Sequence, residues 1–257
     1  GAFSAESVTT MAAIVRNAEV GVNHYQVYEF IRDFSPKPMT SAESIAGCAA
    51  KNVIDLQAGA IVVLSETGRL PRLICKFRPC VPVLVVTASP HVARQCNTGY
   101  AMYALLEPPL PCGSSPLVSG DAKTLVKGAL RHLLSSRLCP PGRDVVVFTG
   151  TRSPDADSSP QMRVLCTPGD MTPYAAPAAD HTISLRTTAI SLPEIFKPDA
   201  PTRKVKIVCT MGPKCWSAEE LGALLDQGMN VARFNFSHGE HAAHLEVLER
   251  FRQVCKE

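Results

Sequence analysis

The spacing of hydrophobic positions changes near residue 60 of this chain. Before that point, apolar residues recur at intervals of three and four, which predicts helices over 5–33 and 41–57. Ser41 and Glu43, in the segment "SAES", are interpreted as the capping signal of the second helix. After residue 60, short apolar runs separated by polar segments predict strands with helices between them.

Five apolar runs in the middle of the chain have the length of strands. They are "IVVL" (61–64), "VLVVT" (83–87), "AMYALL" (101–106), "DVVVFT" (144–149) and "MRVLCT" (162–167). Helical segments are predicted at 68–77, 90–97 and 121–137. Buried runs that alternate with helices indicate an α/β sandwich built largely on a parallel sheet. We expect this domain to cover residues 1–167, with "EPPLPCGSSPLVSG" (107–120) as a surface loop.

A proline-rich stretch follows, and then the α/β pattern starts again. Residues 168–202 contain six prolines and no sustained periodicity, which predicts a linker. One βαβα unit is predicted over residues 203–257. Its strands are "VKIVCT" (205–210) and "MNVARFNF" (229–236), and its second helix covers 240–255.

The first helix of this unit has clear end signals. Ser217 and Glu220 form a capping box, and Gly228 can terminate the helix. The unit as a whole is too small to fold alone, because two neighbouring strands bury little apolar surface and leave their edges exposed. We therefore expect residues 203–257 to be the incomplete start of a larger domain.

Charge and cysteine content limit the possible classes of function. The net charge of +3 is too small to argue for nucleic acid or a membrane surface, and no run of about 18 apolar residues exists. No signal-peptide pattern is visible. The ten cysteines are irregularly spaced without a CxxC pair, which favours reduced thiols over disulfides and argues against zinc. We expect a soluble, cytoplasmic protein.

The segment "RKVKIVCTMGPKCWSAEELGALLDQGMNVARFNFSHGEH" (203–241) closely resembles the opening of the catalytic barrel of pyruvate kinases. In that family a strand ends in C-T-x-G-P, a helix follows, and then G-M-N-V-A-R-x-N-F-S-H-G. Earlier segments resemble the same family's C-terminal domain. They are "ESVTTMAAIVRNAE", "AIVVLSETGRLPRLICKFRPCVPVLVVT" and "GRDVVVFTG". The resemblance implies that residues 203–257 begin a (β/α)8 TIM barrel.

The order of these two domains departs from the family, in which the barrel comes first. Three explanations stay open: a junction between tandem kinase modules, a permuted gene, or separate pieces numbered as one chain. The tandem junction is favoured, because "ISLPEIFKPDAPTRKVKIV" resembles the family's N-terminal lead-in and the chain lacks an initiator Met.

The resemblance implies an activity, the transfer of a phosphoryl group from phosphoenolpyruvate to ADP with Mg²⁺ and K⁺ as cofactors. Arg233 is the implied ligand of the substrate phosphate, because a guanidinium binds phosphate oxygens with two parallel hydrogen bonds. A surface salt bridge is the alternative interpretation. The implied Mg²⁺ ligands belong to later barrel strands and are not in this segment.

Five further residues near the ends of these strands have implied roles. Asn235 and Ser237 offer neutral oxygens for potassium, or else they close a turn after the strand. His238 resembles the family's histidine on the nucleotide side, although a loop histidine is more often solvated. Thr210 and Pro213 line the same rim by family position.

The turn "SETGR" (65–69) resembles the sugar-phosphate effector loop of regulated family members. Ser65, Thr67, Gly68 and Arg69 would offer hydroxyls, free backbone N–H groups and positive charge at the start of a helix, which suits a phosphate. Glu66 would repel that phosphate, so we expect weak effector control. A strand-to-helix turn without a ligand is an equally good interpretation.

Two functions follow from these observations. The first is a glycolytic pyruvate kinase, whose partners are phosphoenolpyruvate, ADP or ATP, the rest of a barrel from the same or another chain, and possible further copies of itself. The second is a catalytically inactive scaffolding or interaction module. Because the barrel is incomplete, we expect the 257-residue segment alone to be inactive. A lysine-bearing strand and a magnesium carboxylate pair after residue 257 would favour catalysis.

Overall fold

The computed structural model describes residues 3–107, 122–150, 160–169 and 202–256. The chain divides into two compact units. We call Glu19–Lys204 the large unit, and Gly1–Ala18 together with Val205–Glu257 the small unit. Among the described residues, no helix has the length and apolar composition needed to cross a membrane.

The large unit contains a five-stranded sheet and helices on both of its faces. Its strands are β1 (Ala60–Leu64), β2 (Val83–Thr87), β3 (Met102–Leu106), β4 (Asp144–Gly150) and β5 (Pro160–Cys166). Its helices are α2 (His24–Phe34), α3 (Ser41–Asp55), α4 (Arg69–Lys76), α5 (Pro90–Cys96) and α6 (Ala122–Ser135).

The strand order is β3-β2-β1-β4-β5, and only β5 runs antiparallel to its neighbour. In the central register, Ile61 lies between Val83 of β2 and Val146 of β4. The predicted α/β domain with a largely parallel sheet is therefore confirmed.

Alternate residues of each central strand enter two different cores. Ile61 and Val63 pack in the core that contains residues of α3, α4 and α5, whereas Val62 and Leu64 pack in the core that contains residues of α6. All four side chains are essentially inaccessible to solvent. The strands read as continuous apolar runs because both of their faces are covered.

Two predicted helix boundaries are wrong. The helix predicted over 5–33 is two helices, α1 (Ser4–Val20) and α2, and the side chain of Asn23 caps the second by accepting the N–H of Gln26 at 3.1 Å. The cap of α3 is Thr40 and not Ser41, since the Thr40 hydroxyl accepts the N–H of Glu43 at 3.2 Å. The extended backbone at Thr40 allows this bond.

The small unit contains most of α1 and one βαβα segment. The segment consists of β6 (Val208–Thr210), a 3-10 helix (Pro213–Cys215), α7 (Ala218–Asp226), β7 (Val231–Arg233) and α8 (His241–Val254). The predicted cap Ser217 is confirmed, because its hydroxyl accepts the N–H of Glu220 at 3.2 Å. Val8 and Ala12 of α1 pack in the same core as Leu221 and Val247.

Both strands of the small unit are shorter than predicted. The ladder begins at Val208 opposite Val231, and just before it the side chain of Asn230 accepts the N–H of Ile207 at 2.9 Å. The predicted domains 1–167, 168–202 and 203–257 stay predictions, and the observed division differs from them by grouping residues 1–18 with 205–257. Most of the predicted linker and of the loop at 107–120 lies outside the described residues.

Candidate functional site

The ends of β6 and β7 place two predicted site residues side by side. The two strands are parallel, with Val208 opposite Val231 and Thr210 opposite Arg233. Nη1 of Arg233 donates a hydrogen bond to the hydroxyl of Thr210 at 3.0 Å. Both side chains are exposed. Parallel strands present their carboxyl ends at one edge of a sheet, and this edge therefore carries a guanidinium and a hydroxyl together.

The guanidinium of Arg233 has further N–H groups that a ligand could use. It carries five N–H groups in a rigid fork, and the bond to Thr210 uses one of them. Among the described residues, Arg233 forms no ion pair with a carboxylate. The arrangement can therefore hold an oxyanion at the end of β7, and the salt bridge considered from the sequence is not observed in this part of the chain.

Asn235 and Ser237 close the turn that follows β7. The side-chain oxygen of Asn235 accepts the N–H of Ser237 at 3.3 Å, and its carbonyl accepts the N–H of His238 at 3.3 Å. Gly239 follows with a φ of +79°, a conformation that glycine adopts without steric cost. The structure therefore shows the turn that was the alternative interpretation of Asn235 and Ser237. An amide oxygen has two lone pairs, so the Asn235 oxygen can accept a further contact.

Pro213 lies three residues after the end of β6. It is the first residue of the 3-10 helix, a position that its missing N–H and fixed φ favour, and it is exposed. The N–H of Met211 donates to the carbonyl of Arg233 at 2.9 Å, which holds this connection against the end of β7. The structure therefore places Thr210, Pro213 and Arg233 around one edge of the small sheet.

His244 is buried and holds the turn that follows β7. The sequence analysis did not identify it. It is 5% exposed, and its Nε2 donates to the carbonyl of His238 at 2.8 Å. Its ring meets Phe234, Phe236 and Trp216 edge-on, with centroids 5.3–6.0 Å apart. His244 therefore fixes the backbone of the exposed turn. Its place three residues before the buried Val247 was the available signal for an inward-facing residue.

The turn after β1 is built differently from the predicted effector loop. Ser65 is fully buried, and its hydroxyl accepts the N–H of Gly68 at 2.9 Å. The hydroxyl of Thr67 accepts the N–H of Arg69 at 3.2 Å. The expectation of free N–H groups at Gly68 and Arg69 is wrong, because the turn's own side chains occupy both. The role of this loop in binding an effector stays a prediction.

The described residues contain no group of three or more His, Cys, Asp or Glu side chains arranged to hold a metal ion. The side-chain oxygens of Asn235 and Ser237 are neutral, and neutral oxygens are suitable ligands for a monovalent cation.

Two family models match the chain. The model described as "Pyruvate kinase, alpha/beta domain" matches residues 43–165, and "Pyruvate kinase, barrel domain" matches residues 202–257. The first match covers the sheet of the large unit, and the second covers the βαβα segment of the small unit.

Curated relatives and a solved structure agree with these matches. A pyruvate kinase of Lachancea kluyveri is 40% identical over 94 residues, which are 37% of this chain and 19% of that protein. One from Dictyostelium discoideum is 31% identical over 169 residues, which are 64% of this chain and 31% of that protein. The chain therefore spans less than a third of the length of these relatives. A crystal structure of a pyruvate kinase from Cryptosporidium parvum has a TM-score of 0.51 at 24% identity, covers 59% of this chain and 28% of that chain, and supports the fold alone.

Proposed function

We propose that this chain, which belongs to the pyruvate kinase family, supplies one edge of an active site that transfers a phosphoryl group from phosphoenolpyruvate to ADP. The observation that carries the proposal is the pair of Arg233 and Thr210 at the carboxyl ends of two parallel strands, joined at 3.0 Å and exposed. In (β/α)8 barrels the chemistry gathers at that edge.

Arg233 would bind the phosphoryl group and neutralise its charge. Phosphoryl transfer depends mainly on positioning and on charge stabilisation, because the protein has little covalent chemistry to perform. The Arg233 fork can form two parallel hydrogen bonds to phosphate oxygens. The bond to Thr210 fixes the plane of the guanidinium beforehand, so less freedom is lost when the phosphate binds.

The turn after β7 would serve the nucleotide and a potassium ion. His238, Pro213 and Thr210 are all exposed, and we assign these three to the nucleotide side. Asn235 and Ser237 would hold K⁺ through their neutral oxygens. K⁺ would supply positive charge near the transferring group, and Mg²⁺ would be held by residues outside this segment.

The remaining barrel strands must come from elsewhere in the same polypeptide or from another chain. The small unit's sheet has two three-residue strands, and its Val208 is 55% exposed, so apolar strand surface is left for further neighbours. We place the complete enzyme in glycolysis in the cytoplasm and expect it to self-associate. The 257-residue chain alone should show no phosphotransfer, and turnover above about 1 per second would contradict this.

The test is a coupled assay of pyruvate formation in the longest natural polypeptide that contains residues 203–257. Arg233→Lys keeps the charge but loses the fork, so kcat should fall about tenfold or more. Arg252→Lys, an exposed arginine on α8, is the matched control and should change nothing.

Asn235→Ala separates the potassium site from the phosphate site. If Asn235 only holds K⁺, a higher potassium concentration should restore much of the lost activity in this variant and none in Arg233→Lys. Unchanged kinetics in Arg233→Lys would mean that the motif persists here as structure alone, and would favour the scaffolding function.

A further inference from the structure

The large unit contains a cavity of about 550 Å³ between α4, α5 and the segment that leads into β3. Three cationic side chains line it, Arg72, Lys76 and Arg78, and its lining contains no Asp or Glu. We propose that this cavity binds a small molecule that combines an anionic group, a carboxylate or a phosphate, with an apolar or planar body. The proposal does not depend on the phosphotransfer function.

The positive charges around the cavity are only partly balanced. Nζ of Lys76 binds a carboxylate oxygen of Glu43 at 2.5 Å, which leaves two of its three N–H groups. Nε of Arg72 donates a hydrogen bond to the carbonyl of Gly68 at 3.1 Å, and this partner carries no charge. Within the described residues, neither Arg72 nor Arg78 has a carboxylate partner. An anion in the cavity would supply the missing charge.

Arg78 lies just after α4 and brings a guanidinium against the Tyr100 ring of the cavity wall. Its φ is +52°, and it follows Phe77, the C-cap of α4, at a position where glycine is the common choice. Its guanidinium lies 4.6 Å from the centroid of the Tyr100 ring, and its carbonyl lies 3.2 Å from Nδ1 of His24.

The opposite wall of the cavity is apolar. Val92, Cys96 and Met102 are each 5% exposed or less and offer carbon and sulfur surface. Burial raises the pKa of the Tyr100 hydroxyl, which therefore stays a hydrogen-bond donor. A cationic rim over an apolar floor fits an amphipathic anion, and the volume lies within the usual range of small-molecule sites.

This site differs from the predicted effector loop in the groups that would contact the ligand. In the loop, the hydroxyls of Ser65 and Thr67 already occupy the backbone N–H groups of Gly68 and Arg69. In the cavity the donors are side chains on α4 and at its end. Gly68 also lines the cavity, so the two sites are distinguished by the amides of residues 95–102, which the loop does not contain.

Phenyl phosphate is a suitable probe, because it joins one phosphate to one ring. We expect a saturable change in the amide NMR signals of residues 95–102 when it is added to the labelled 257-residue chain. A molecule of this size should bind with a Kd of about 1 mM or tighter. Inorganic phosphate should bind more weakly, since it lacks the ring. No saturable change at 95–102 up to about 10 mM would overturn the proposal.

Three variants assign the binding to the cavity. Arg72→Gln and Arg78→Gln should each weaken binding at least about fivefold. Arg94→Gln, an exposed arginine of α5 that does not line the cavity, is the matched control and should bind like the wild type. If Arg78→Gln loses its dispersed spectrum, Arg72→Gln decides the question. Equal weakening in all three variants, or a response confined to residues 65–69, would overturn the proposal.

Discussion

Ser65 and Ser237 each lie in a turn that connects a parallel strand to the next helix, one in the large unit and one in the small unit. Ser65 is fully buried, and its hydroxyl binds the N–H of Gly68. Ser237 is exposed, and only its backbone N–H is used within the turn, by Asn235. Both turns contain internal hydrogen bonds, but the serine hydroxyl takes part in the first turn, whereas in the second turn it stays exposed.

The burial of the preceding strand explains this difference. β1 is covered on both faces, and the chain continues into the core before it turns, so Ser65 must find a partner inside the protein. β7 is only half-buried, and its turn leaves Ser237 and His238 in solvent. In this chain, the hydroxyl at the exposed strand end is therefore the one that a ligand could reach.

The buried thiols of the two units offer the test with the largest expected effect. Burial raises the pKa of Cys139 in the large unit to about 11. Its folded-state pKa lies above the unfolded value, so the protonated thiol favours the folded state, and this contribution is lost as pH rises towards 11. We expect iodoacetamide to modify Cys139 about a hundredfold more slowly than an ordinary thiol at about pH 8. The rate should keep rising about tenfold per pH unit up to about pH 10.

Cys215 is the buried thiol of the small unit and the matched reference. We expect it to react faster than Cys139, because half-exposed strands open more easily. Mass spectrometry of the modified peptides, with Cys139→Ser to confirm the assignment, gives both rates. A Cys139 rate that levels off above about pH 9 would show that the thiol is not held protonated by burial.

A Val→Ala substitution should lower the free energy of unfolding by different amounts in the two sheets. Val85 of β2 is inaccessible, whereas Val208 of β6 is 55% exposed. Val85→Ala should lower the free energy of unfolding by about 2–3 kcal/mol, from lost burial and the cavity that remains. Val208→Ala should change it by less than about 0.5 kcal/mol. Circular dichroism in denaturant reports the helices of both units, and the single tryptophan, Trp216, reports the small unit alone by fluorescence.

Equal costs at Val85 and Val208 would break the comparison of the two sheets. They would mean that other apolar surface already covers β6 in the isolated chain. The small unit would then need no further strands, and the proposal that it is one part of a larger barrel would lose its structural support.

The two serines provide a smaller and more local test. Ser65→Ala leaves the N–H of Gly68 without its partner in a buried turn, which should cost about 1–3 kcal/mol of unfolding free energy. Ser237→Ala should cost less than about 0.5 kcal/mol, because its hydroxyl is exposed. Denaturant unfolding of both variants measures the difference. A stable Ser65→Ala protein would show that the turn does not depend on this hydroxyl.

Much of the fold could be predicted from the sequence, because the apolar runs of the large unit follow directly from burial on both faces. The proximity of Thr210 and Arg233 could be expected only in part, since Thr210 ends its predicted strand but Arg233 lies three residues before the end of the predicted strand 229–236. The support by His244 could not, because its aromatic neighbours Trp216 and Phe234 come from separate segments. The self-bonded turn at Ser65 was missed for a related reason, since a local motif does not show how deeply it is buried.

Hydrogen exchange at the two turns tests the central claim most directly. The claim is that the turn after β1 is buried and held by its own serine hydroxyl, whereas the turn after β7 is exposed to solvent. We expect the amide of Gly68 to have a protection factor at least about a hundredfold larger than those of Ser237 and His238. Two-dimensional NMR of the 257-residue chain in deuterated buffer resolves these amides. Equal protection in the two turns would contradict the claim.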